Sequence, residues 1–409
     1  MTKSIKLIDK IAMMMLLLAP ILGIYGKPDG WNYETILTLP LSLVYFVAYF
    51  ATQGRVVGEK DPMSKGLLLY FIYWGLLAAV LGLSLPLNII QAYLALFLFY
   101  ASFDLGYYTR LYKAFTLICI AFFFAQEISF SLLGIRINGI ITALPLYGDI
   151  SMSEFVDKVS SMDRSSAFFS EPSHFAQFLL PLLAISLYDG NKKPNYILAA
   201  LIGITILFLR SGNGLFGLAA ILAFAFPYFM KGKKRSRTLG FFIFGVAVAL
   251  AGYYYINSSM GASLVERQTE MSMDWDGQGS RSGFLRIWRG FFVYGDYSLI
   301  EKFFGCPNEK AQMAHVASSG MLMVDSAELY FNMFQKILLN TGLIGVCIFV
   351  YIIVHIWKNN TICGRAIVTT LVALSFIAAI YMSHTMILYM VLAESMKPKY
   401  NQQKILATV

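Results

Sequence analysis

The chain has 409 residues, of which 58% are hydrophobic and only 13% charged, and its formal net charge is +9. Soluble domains carry about 45–50% apolar and about 25% charged residues, so this composition argues against an ordinary water-soluble enzyme. The basic balance alone admits a nucleic-acid partner. That reading is set aside because the Lys and Arg collect in short segments between apolar runs.

Those runs recur along the whole chain, each about one bilayer core long, at roughly 17–25 residues. In order, the predicted spans cover 7–25, 35–52, 66–84, 88–102, 114–134, 174–188, 195–210, 213–230, 239–257, 336–357, 366–382 and 384–395. The first, IAMMMLLLAPILGIYG, has a basic front like a signal peptide. It lacks a small-x-small cleavage site and further spans follow it, so it is expected to be retained. Residues 66–102 read as two helices turning at Pro86-Leu87-Asn88 or as one broken helix, and 366–395 turn near Ser383-His384. The runs are continuously apolar rather than alternating, which argues against a β-barrel. The expected fold class is all-α: a polytopic integral membrane protein of about 12 transmembrane helices, forming one domain over 1–409.

With the N-terminus inside, the inner connections are 53–65, 103–113, 189–194, 231–238 and 358–365, followed by the tail from 396. Together with the N-terminal stretch these hold most of the 32 Lys and Arg, including KGKKRSR at 231–237. The positive-inside rule then sets both termini in the cytoplasm. Two outer segments are long, 135–173 and 258–335, and function is expected on that face. Within the second, FLRIWRGFFVYG and SAELYFNMFQKILLNTGLIG are aromatic and amphipathic, which predicts short helices on the outer membrane surface. The four cysteines, Cys119, Cys306, Cys347 and Cys363, form no metal-like pair, and Cys306 is expected in an exposed loop.

The chemistry-bearing residues gather at the outer ends of spans. RSSAFFSEPSHF at 164–175 places Arg164, Glu171 and His174 at the mouth of an apolar run. Ser170 as N-cap, Glu171 in the first turn and Pro172 near the start are ordinary helix signals. They leave His174 and Arg164 unexplained. A carboxylate at that depth is partly desolvated, which suits proton transfer, and helix-start N–H groups favour an anion such as phosphate. SRSGFLRIWRG at 280–290 carries Arg281, Arg286 and Arg289. The last two share a helix face, either snorkelling to lipid phosphates or forking onto a pyrophosphate. LRSGNG at 209–214 offers Arg210, either a cap on its own helix or a third phosphate contact. Glu127, in AFFFAQEISF, is an intramembrane acid and so a functional candidate, or a group hydrogen-bonded within the bundle. His315, Asp325, Glu328 and His384 are not singled out by spacing. No Walker A, HExxH, GxSxG or Asp-x-Asp pattern occurs, so no nucleotide, metal or other cofactor is expected.

In their order, SSAFFSEPSHFAQF entering a span, LFLRSGNGLFGL, a large loop with SRSGFLRIWRG, and LLNTGLIGV returning to the membrane resemble the Wzy-type O-antigen and capsule polymerases, a group that includes the O-antigen ligases. The resemblance covers about 115–395, with EPSHFA its most specific piece and the topology next. Arg289 and Gly305 fit one family spacing, and a companion spacing from Arg136, Arg164 or Arg281 is missing. The resemblance implies a metal-independent glycosyltransferase of the bacterial inner membrane, acting on the periplasmic face. It would pass a growing glycan from undecaprenyl pyrophosphate to a lipid-linked repeat unit. Glu171 and His174 would serve the acceptor hydroxyl, while Arg164, Arg210, Arg281, Arg286 and Arg289 would meet the pyrophosphate. Trp288 would stack on sugar or anchor at the interface. A chain-length regulator protein and membrane lipid are the implied partners. An O-antigen ligase and a lipid-linked oligosaccharide flippase are the competing readings.

Overall fold

A computed structural model describes residues 6–27, 31–53, 62–83, 87–148, 151–161, 164–189, 193–229, 282–318 and 331–398. Among them the protein is all-helical, and the only β contacts are two isolated bridges, Tyr25 with Leu146 and Gly26 with Asn32. The expected span 239–257 and the residues Arg281, Asp325 and Glu328 lie outside the described residues.

The helices are α1 (Leu7–Leu22), α2 (Tyr33–Gln53), α3 (Pro62–Val80), α4 (Leu87–Ser102), α5 (Leu105–Leu133), α6 (Met152–Ser161), α7 (Pro172–Tyr188), α8 (Tyr196–Phe208), α9 (Gly212–Phe229), α10 (Ser282–Asp296), α11 (Leu299–Phe304), α12 (Glu309–Ser318), α13 (Met333–Lys358), α14 (Ile362–Ser375) and α15 (His384–Ser395). Residues 66–102 are thus two helices rather than one broken one. The expected run 366–382 ends early, at Ser375, and the chain reaches α15 through a bend with Met382 at φ 52. Among the described residues two helices, α5 and α13, are long and apolar enough to cross a membrane.

Local signals explain the ends. Asp104 caps α5 by accepting from Tyr107 N at 2.8 Å, and Gly134 closes it in the left-handed conformation at φ 66. Asn195 caps α8 and Ser383 caps α15. Gly342 interrupts α13 with φ 61 and ψ −164, and only glycine fits there, since a Cβ would stand 2.4 Å from Phe303 O.

The chain divides into two compact units. In the first (Met1–Leu218, Cys347–Val372 and Met382–Val409), α7 is the central element, buried from Phe175 to Ser186 without a break. It packs on α5, α8 and α15. Pro181 removes the N–H that would bond Gln177 O one turn earlier. Tyr389 Oη on α15 donates to that carbonyl at 2.9 Å. Tyr112 Oη on α5 donates to the next carbonyl, Phe178 O. A carbonyl freed by proline in an apolar bundle needs a side-chain donor, and Tyr389 supplies it at Gln177.

In the second unit (Ala219–Val346 and Ala373–Tyr381), α10 and α12 pack together over Val293, Tyr297, Cys306, Val316, Phe331 and Leu339. Cys306 is therefore buried in an apolar cluster, not exposed as expected. Burial pushes its thiol above the ordinary value, which makes it a weak nucleophile.

Candidate functional site

The segment between α5 and α7 is positioned by side chains that bond its backbone. Gln126, buried on α5, accepts from Ala167 N at 2.9 Å and donates to Ile137 O at 2.9 Å and Ala167 O at 3.3 Å. Ala167 sits at φ 52, and Gly139 approaches it so closely that a Cβ would lie 1.8 Å from Ala167 O. On the other side, Tyr25 Oη accepts from Ile141 N at 2.7 Å, while Gly26 N and Tyr147 N bond Pro145 O and Ile24 O. The turn after α1 thus pins residues 141–147.

These ties frame an open cleft lined among others by Gln126, Glu127, Arg136, Asn138, Arg164 and Ser165. Glu127 Oε1 accepts from Ser165 N at 3.2 Å. Arg136 lies over the Phe130 ring, 4.0 Å from its centroid. Arg164 Nη1 donates to Arg210 O at 3.0 Å, and Arg210 holds the left-handed conformation at φ 48. Arg164 is therefore tied to the backbone of Arg210, and the turn after α8 stands against the approach to α7.

At the mouth of α7 the sequence reading needs a correction. Glu171, not Ser170, is the N-cap: its backbone is extended (φ −143) and Pro172 takes the first helical position. The Ser170 hydroxyl is instead shared with His174 Nδ1 at 2.8 Å, and Glu171 Oε2 accepts from Ser173 Oγ at 2.9 Å. The carboxylate and the imidazole are each held by a serine within one turn, both half-buried.

The arginines of α10 belong to the second unit. Arg286 is on the helix, three residues before Arg289. Arg289 is only 5% exposed and its Nε has no hydrogen-bond partner. It does not snorkel to a surface. Burial lowers its pKa below the ordinary value, a cost that an anion brought to it would relieve. Trp288 is half-buried, its ring tilted against Phe291 with the centroids 6.3 Å apart.

Sequence reasoning missed Gln126 as the clasp of this segment and Glu34 altogether. Glu34 Oε2 lies 3.6 Å from His384 Nδ1. A Gln-Glu pair inside an apolar run was a usable signal for the first. Nothing in the sequence links positions 34 and 384. No protein-family model matches the chain, and no curated protein matches it.

Proposed function

We propose that the protein is a membrane-embedded glycosyltransferase of the O-antigen or capsule polymerase type, passing a glycan from undecaprenyl pyrophosphate to a lipid-linked repeat unit. The observation that carries the reading is the junction at the start of α7. There Arg164, bonded to Arg210, adjoins a polar cleft, and Glu171 and His174 follow within a few residues. Breaking an anomeric C–O–P bond releases a pyrophosphate, whose charge guanidinium groups and helix-start N–H groups stabilise. The new bond requires the acceptor hydroxyl to give up its proton, and Glu171 with His174 offers an acid–base group for it. Arg281, Arg286 and Arg289 are the further phosphate contacts in this proposal.

The membrane placement is part of the same proposal: about 12 spans, both termini cytoplasmic and the site periplasmic. It is supported by the apolar side chains the helices leave uncovered, such as Leu132 at 77%, Val80 at 83% and Ile197 at 85% exposed. Lipid is the solvent that makes such faces tolerable. A chain-length regulator would act on the product.

Deletion of the gene with complementation tests the reading. A polymerase mutant makes surface lipid carrying one repeat unit. A ligase mutant leaves no glycan attached, a flippase mutant strands units inside the cell, and either outcome replaces the proposal. Complementation with Arg164→Ala or Glu171→Gln is expected to leave single units, and normal long chains from both variants at normal expression would refute the assigned roles.

A further inference from the structure

The acid–base chemistry at the mouth of α7 has a second half that the sequence did not disclose. α15 packs on α7, and the bond from Tyr389 Oη to Gln177 O sets the two helix starts side by side. His384 is the first residue of α15, just after its N-cap Ser383. Its Nδ1 lies 3.6 Å from Glu34 Oε2, with the two side chains 21% and 15% exposed. Glu34 belongs to the first turn of α2, and α1 packs on both α2 and α15. Gly23, just past α1, makes room for that carboxylate: a Cβ there would stand 2.9 Å from Glu34 Oε2. His174 stands about one turn before the Gln177 carbonyl that Tyr389 of α15 bonds.

For stability alone this pairing is poorly placed. A cation at the first residue of a helix opposes the positive end of the helix dipole, so a charged His384 would destabilise α15 on its own. Glu34 offsets that cost, and partial burial strengthens the attraction relative to bulk water. The arrangement suits an imidazole that becomes charged during a reaction and is held while charged. Glu34 faces His384 at 3.6 Å, and Glu171 and His174 stand at the start of α7, which packs on α15. Asp9 and Lys10 on α1 and Glu394 on α15 belong to the other ends of their helices.

We infer that His384, backed by Glu34, completes the acid–base group with Glu171 and His174 and holds the proton that the acceptor hydroxyl gives up. The inference rests on the glycan-transfer reading above. As the acceptor oxygen bonds the anomeric carbon, the C–O–P bond breaks and its electron pair leaves on the pyrophosphate. The hydroxyl proton passes through the Glu171–His174 group to His384, and the imidazolium pairs with Glu34 until water removes the proton.

The test is chain elongation by the full-length protein in lipid vesicles, supplied with undecaprenyl-pyrophosphate-linked repeat units from the producing strain and followed against pH. His384→Ala is expected to lower the rate about 100-fold or more. Added imidazole should restore about a tenth of the wild-type rate or more, and the acid limb of the rate profile should flatten, as for removal of a histidine that takes up a proton. Glu34→Gln should lose less, and Glu34→Asp least. His355→Ala, in the last turn of α13, should leave the profile unchanged. If His384→Ala does not fold, His384→Gln carries the same pH measurement. Wild-type rates from the His384 variants, or a loss that imidazole does not relieve and that keeps the acid limb, overturn the inference and leave the polymerase reading standing. Wild-type protein that elongates nothing, indistinguishable from Arg164→Ala, overturns both.

Discussion

Residues 135–148 and 164–171 are tied down by a few polar side chains, whereas residues 282–318 and 331–339 are tied down by burying aromatics. In the first region Gln126 of α5 and Tyr25 just after α1 bond the backbone of the segment, and Phe168 and Phe169 stack on Phe122 and Phe175 beside those bonds. In the second, Val293 of α10, Val316 of α12 and Leu339 of α13 pack with Tyr297 and Phe331, and Gln312 donates to Cys306 O and Asn340 Oδ1, each at 2.8 Å. The contrast separates two ways of presenting charged groups. A backbone clasp at Ala167 and Ile137 holds the segment between Arg164 and Glu171 with directional bonds. An apolar core carries Arg289 as one side chain within a larger packed mass, where loss of any one contact is shared among many.

The contrast predicts different failures. Phe331 is fully buried in the second region, and Phe331→Ala should cost about 3–5 kcal/mol by leaving a cavity. It should appear as a lowered melting temperature of the detergent-solubilised protein. A melting curve indistinguishable from wild type would mean that the second region is not held by its core. Gly139→Ala comes next in the first region. Its Cβ would meet the Ala167 carbonyl, a backbone atom that cannot swing aside, so a penalty of about 1–3 kcal/mol is expected. Gln126→Leu keeps the bulk but leaves Ala167 N and O and Ile137 O without their partner, at about 1–3 kcal/mol for a buried group so orphaned. If the proposed function holds, both changes should reduce glycan elongation more than they reduce the melting temperature, because they loosen the approach to Glu171. Equal losses of stability and elongation in the Phe331 and Gln126 variants would erase the distinction between the regions.

The helices were legible because apolar length and capping residues are local properties. The positions of α1, α2, α8 and α15 follow from runs that a reader can see, and so does the amphipathic α10. The failures came where a distant partner decides. Cys306 looked exposed because its surroundings are polar in sequence, yet Phe331 and Leu339 return to cover it. Ser170 looked like a cap because serine often is one, but His174 offered its hydroxyl a better-placed partner and the cap moved to Glu171. The predicted run 366–382 overran because hydrophobicity continues past Ser375 while the helix stops. There Asn332 donates to Phe376 O at 2.7 Å and Met333 N to Ala378 O at 2.9 Å, which gives the unwound chain other partners. At the candidate site, Arg164, Glu171 and His174 were visible as charges where lipid should be. The Glu34–His384 pair was not, since each residue alone is an unremarkable polar group at a helix start.

The smallest expected effect probes a polar device inside the apolar region. Ser298 and Glu301 form a reciprocal capping box at the start of α11: Ser298 Oγ accepts from Glu301 N at 3.3 Å, and Glu301 Oε2 accepts from Ser298 N at 2.9 Å. The bonds from Ser298 hold the Glu301 carboxyl below the ordinary carboxylate range. A depressed folded value means that the ionised form supports folding. That support is fully present above the unfolded value of about 4.3 and is lost as pH falls through the folded one. Ser298→Ala should cost about 1 kcal/mol at neutral pH, the usual worth of an N-cap hydroxyl. The gap between variant and wild type should then narrow below pH 4, because wild type loses the ionised Glu301 that the variant no longer uses fully. A gap that stays constant with pH would show α11 to be held by its apolar neighbours alone, extending the rule of the second region to its most polar turn.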